Sequence, residues 1–83
     1  MNIFVSKLSG KTTSDKLKAL FEQFGQVTSA RIIMDKETGE SKRYGFVEMV
    51  DKAAANEAIK ALNESEFDER TIIVKEAQER EKR

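Results

Sequence analysis

The stretch Lys42-Arg43-Tyr44-Gly45-Phe46-Val47-Glu48-Met49 constrains the fold most, because it packs two aromatic rings and two cations into one short strand-like run. With a strand's period of two, Lys42, Tyr44, Phe46 and Glu48 fall on one face, and Arg43, Gly45, Val47 and Met49 on the other. A strand with one buried face normally turns its rings toward the aliphatic side. Here the rings share a face with a lysine and a glutamate, so a sheet built on this strand is expected to leave that face uncovered. Asn2 to Ser6 repeats the pattern, with Ile3 and Val5 opposed to Asn2, Phe4 and Ser6.

Two amphipathic segments supply the cover for the aliphatic side. After the loop Ser9-Gly10-Lys11, Thr12 or Thr13 caps a predicted helix whose Leu17, Leu20, Phe21 and Phe24 recur at helical spacing, with Gly25 as its stop. Asp51 caps a second, in which Ala55, Ala58, Ile59 and Leu62 form a stripe with small residues for close approach to a sheet, and Asn63 ends it. Val27 to Met34 is rich in β-branched residues and predicts a strand, with Ala30, Ile32 and Met34 on one face and Ser29, Arg31 and Ile33 on the other. The polar run Asp35 to Ser41 then reads as a long hairpin loop. Phe67 is expected to anchor the acidic loop Glu64 to Glu69, and Arg70 to Ala77 forms a last strand.

The order is therefore strand, helix, strand, strand, helix, strand. The expected fold class is α+β, a ferredoxin-like sandwich of a four-stranded antiparallel sheet with two helices on one face. Each helix has a single apolar stripe, so the pair covers only one side. The open side then carries Phe4, Tyr44 and Phe46, with Arg31, Lys42 and Lys75 among them. The domain is expected to span residues 1–77, followed by a short charged tail at 78–83.

Composition narrows the chemistry. The 83 residues suit a single domain. Without cysteine or histidine, the chain lacks disulfides, thiolate nucleophiles, imidazole acid–base groups and the usual zinc ligands, so no metal site, no cofactor and no catalysis is expected. No apolar run approaches a membrane span or a signal peptide, so the expectation is a cytoplasmic protein without a membrane partner. Fifteen Lys/Arg balance fifteen Asp/Glu, which argues against coating nucleic acid by bulk charge.

At this point the residues resemble the RNA recognition motif family, over nearly the whole chain from Asn2 to Ala77. The family's longer motif, K/R-G-F/Y-G/A-F-V-x-F/Y, agrees with Lys42 to Met49 at six of eight positions. Its shorter motif is similar to Ile3-Phe4-Val5-Ser6-Lys7-Leu8. The resemblance implies single-stranded RNA as partner, with single-stranded DNA offering the same base faces. It further implies that Phe4 and Tyr44 stack on bases, that Phe46 packs against sugars and that Lys42 meets a phosphate. Arg43, Arg31, Lys75 and Lys7 are further candidates for polar or phosphate contacts. A monomer is expected, similar to the small single-domain bacterial RNA-binding proteins of this family, with a role in post-transcriptional regulation or RNA chaperoning. The alternative is a protein interaction module using the sheet face or the acidic loop.

The chain departs from the family pattern at several positions. Arg43 stands where glycine is usual, Lys7 where asparagine is common, and Met49 where a ring is frequent. Glu64 and Glu69 occupy turn positions where glycine is frequent.

Overall fold

The computed structural model describes residues 1–77; the charged tail at 78–83 lies outside the described residues. Eight elements follow one another: β1 (Asn2–Ser6), α1 (Ser14–Glu22), β2 (Val27–Met34), β3 (Ser41–Met49), α2 (Lys52–Leu62), β4 (Glu66–Phe67), β5 (Arg70–Thr71) and β6 (Ile73–Glu76). The main sheet is antiparallel throughout, in the order β2-β3-β1-β6, with both motif strands at its centre. This is the ferredoxin-like sandwich expected from the element order. No helix among the described residues is long and apolar enough to cross a membrane.

Three of the four helix ends follow their expected capping residues, while α1 closes at Gln23 and leaves Phe24 and the expected stop Gly25 in the turn beyond it. Thr13 accepts a hydrogen bond from the Lys16 N–H at 3.2 Å, which selects it over Thr12 as the cap of α1. Asp51 accepts from the Ala53 N–H at 3.0 Å. Asn63 closes α2, and its side-chain oxygen also accepts from the Val74 N–H at 3.0 Å, tying the helix end to β6. Ile3, Val5, Val47, Met49 and Val74 from the sheet pack against Leu17 and Phe21 of α1 and Ala55 and Ala58 of α2. Phe21 is fully buried, and removing a side chain of that size from water stabilises the fold by about 1.5–3 kcal/mol. Met34, expected on the aliphatic side of β2, is 52% exposed, because the register shift between Ile32 and Met34 breaks the alternation that placed it there.

Two features depart from a simple strand count. The last strand is broken at Ile72, and its first part turns back to pair with Glu66 and Phe67 as a separate two-stranded hairpin. Both residues of its turn, Asp68 (φ 54) and Glu69 (φ 69), have positive φ, as the type I′ turns of tight hairpins require. The hairpin is fastened to the start of α1, where the Thr12 hydroxyl donates to the Asp68 carboxylate at 2.8 Å. The second feature lies in β3. Between the pairs Ile32–Gly45 and Met34–Ser41, β2 advances two residues while β3 advances four, and Arg43 (φ 67) sits in the left-handed region. Arg43 therefore leaves the alternation expected of it.

Candidate nucleic-acid interface

The two helices lie against one side of the sheet, and the other side presents the rings. Phe4 and Phe46 are directly opposed across β1 and β3, with ring centroids 5.4 Å apart, and Phe4 lies 5.7 Å from Tyr44. The rings are tilted by 50° and 46°, so they brace each other by their edges and do not stack face to face. All three are partly exposed. A planar apolar molecule can lie on such a surface.

The register sets the charges around the rings. Arg31 pairs with Phe46, Phe46 with Phe4, and Phe4 with Lys75. One transverse row across the four strands thus reads cation, ring, ring, cation, spanning about 14 Å at the usual strand spacing. The next row sets Tyr44 opposite Ser6, and Ser6 opposite Ile73. At the other end Glu48 pairs with both Asn2 and Ser29, so that margin is polar and carries a negative charge.

Gly45 makes this geometry possible. Its backbone runs so close to β2 that an added Cβ would fall on the Arg31 carbonyl. The residue between Tyr44 and Phe46 therefore has to lack a side chain. Lys42 is exposed beside the loop that joins β2 to β3. That loop is closed by the Asp35 N–H donating to the Glu40 carbonyl at 2.7 Å. Hydrogen bonds from the Glu37 and Thr38 N–H groups hold the Asp35 carboxyl below its ordinary range, with the Lys42 charge assisting.

Arg43 and Lys7 belong to a second group. The Leu8 N–H donates to the Arg43 carbonyl at 2.9 Å, joining the end of β1 to the start of β3. The Arg43 guanidinium lies over Gly10, its Nε 3.5 Å from where a Cβ would stand. Lys7, Arg43 and Arg70, with Leu8 and Thr71, line a cleft of about 380 Å³ beside the ring face. Arg70 was not among the residues the sequence singled out, because the hairpin that brings it there leaves no periodic signal. Among the described residues no group of three or more acidic side chains is placed to hold a metal ion.

An open-faced α+β sandwich with an aromatic row on its two central strands defines the class of module. The family model for the RNA recognition motif matches residues 3–73. Among curated proteins, RbpE of Nostoc sp., whose name assigns it RNA binding only provisionally, is 40% identical over all of this chain and 84% of its own length. A glycine-rich RNA-binding protein of Daucus carota is 43% identical over 93% of the chain, which spans only 49% of that relative. Among solved structures, that of RNA binding protein PG1 superposes with a TM-score of 0.93, at 49% identity over 99% of both chains. The chain belongs to the RNA recognition motif family.

Proposed function

We propose that the protein binds single-stranded RNA on the open face of its sheet and carries out no catalysis. The observation that carries this reading is the trio of partly exposed rings on the two central strands, flanked by Arg31 and Lys75 in register. Every base has an apolar face, so bases stack on Phe4 and Tyr44 with little regard for sequence, each contact contributing on the order of 1–3 kcal/mol. Phe46, beside Phe4 on the neighbouring strand, packs against the intervening sugar, and Lys42 meets a phosphate. The names of RbpE, the carrot protein and PG1 all refer to RNA binding, which supports the reading. A soluble cytoplasmic monomer with its binding domain over residues 1–77, able to take single-stranded DNA on the same rings, completes the proposal.

The test is titration of short single-stranded RNA against the wild type and the triple variant Phe4→Ala/Tyr44→Ala/Phe46→Ala. Two lost stacks should weaken binding by at least roughly thirtyfold. Equal affinities would sink the proposal. With about three to five phosphate contacts, log affinity against log salt should fall with a slope of roughly −2 to −3.5.

A further inference from the structure

The cleft formed by Lys7, Arg43 and Arg70 has none of the three rings in its lining. Lys7 follows Ser6, which pairs with Tyr44, so the cleft opens at the end of β1 where a strand of RNA leaving the rings would pass. Among the described residues, three exposed cations and no carboxylate line it. Among the described residues none of the three forms an ion pair, whereas Lys11, Lys16 and Lys18 do. The adjoining cleft, which Arg43 also lines, sets Glu40 against that single cation and so attracts an anion less.

The backbone supplies a second, independent observation. Lys7 (φ 61) and Arg43 (φ 67) both adopt the left-handed conformation, which disfavours side chains with a Cβ. Neither shows a side-chain hydrogen bond or ion pair in the described residues that would repay the strain. The Leu8–Arg43 hydrogen bond joins the two left-handed segments, so the backbone sets both cations at one cleft.

We propose that Lys7, Arg43 and Arg70 form a phosphate subsite that holds an RNA phosphate just beyond the nucleotides on the rings. This rests on the RNA-binding reading above. The phosphate can be an internal phosphodiester of a longer strand or the terminal phosphate of a short one. Three cations around one cleft suit either, because the two guanidinium groups can grip phosphate oxygens in pairs and the lysine adds a point charge.

The test compares the wild type with Arg43→Gly, Lys7→Asn and Arg70→Gln. Fluorescence anisotropy is read over a salt series on oligouridylates of about four and about eight nucleotides, the shorter with and without a terminal phosphate. On the longer strand, or on the shorter one carrying a terminal phosphate, each variant should lose affinity, by roughly tenfold for the three combined. The salt slope of the combined variant should flatten by about 0.7 for the lost phosphate. On the short unphosphorylated strand, variants and wild type should agree. A gain confined to the terminal phosphate assigns the cleft to strand ends, and a gain with length assigns it to internal phosphates. Arg43→Gly and Lys7→Asn should raise the melting temperature while weakening binding, which a folding defect cannot do, and Arg43→Lys should restore the slope. Unchanged affinities and slopes in the variants, with the wild type still binding, overturn the subsite alone. A loss of equal size on the short unphosphorylated strand also overturns it. Failure of the wild type to bind any of these RNAs overturns the RNA-binding reading with it.

Discussion

Replacing Glu64 and Glu69 by glycine should stabilise the protein, although both changes remove side chains and add none. Glu64 (φ 64) and Glu69 (φ 69) lie in the left-handed region, where a residue with a Cβ is held at a cost of about 1–2 kcal/mol. Glycine removes that strain but widens the unfolded ensemble, which offsets about 0.4–1 kcal/mol of the gain. The net expectation is about 0.5–1 kcal/mol per site. Among the described residues the one ion pair lost is Lys11–Glu69 at 4.0 Å, with both side chains well exposed, and such a pair contributes little in solvent. For a domain of this size the double variant should melt roughly 4–16 °C higher. Urea unfolding should show a higher midpoint at unchanged slope, since the surface exposed on unfolding is the same. Glu64→Ala is the control, because it removes the charge and keeps the Cβ. If Glu64→Ala stabilises as much as Glu64→Gly, charge and not backbone strain is responsible, and the reasoning fails.

Two further outcomes follow from the same geometry. Gly45→Ala should destabilise by about 2–4 kcal/mol, because its methyl would strike the Arg31 carbonyl and separate β2 from β3; a melting temperature within a degree or so of wild type would show that the strands yield easily. Asp68 should titrate below its ordinary 3.8, held there first by the Thr12 hydroxyl and then by the Lys16 and Lys11 charges. Its contribution to stability is therefore complete above that value and is lost as pH falls through the lower, folded-state one. The urea midpoint of Asp68→Asn should accordingly fall less than that of the wild type between about pH 4 and pH 2, and parallel curves would remove Asp68 as a source of acid sensitivity.

What could be seen in the chain and what could not divide along a physical line. Thr13, Asp51 and Asn63 act on backbone groups within a few residues, so those three helix ends were legible, whereas α1 closes at Gln23, ahead of the stop expected at Gly25. The face bearing Phe4, Tyr44 and Phe46 follows from strict alternation over five or more residues. The hairpin at 66–71 has two-residue strands, too short to show a period, and its Asp68-Glu69 turn lacks the glycine that marks such turns in a sequence. Arg43 hid the bulge in β3 for the same reason. The unusual residues at Lys7, Arg43, Glu64 and Glu69 were visible as departures from the family pattern. Only the backbone shows that all four stand at positive φ.

Tyr44 is the only tyrosine in the chain, and there is no tryptophan. The ring proposed to carry a base is thus also the protein's sole strong intrinsic fluorophore. Its emission comes from one place, within 6 Å of Phe4, free of background from any buried indole or phenol. A base laid on that ring should quench it, so occupancy of the sheet can be followed without a dye or a tag, and a ligand seated only in the neighbouring cationic cleft should leave the light nearly unchanged.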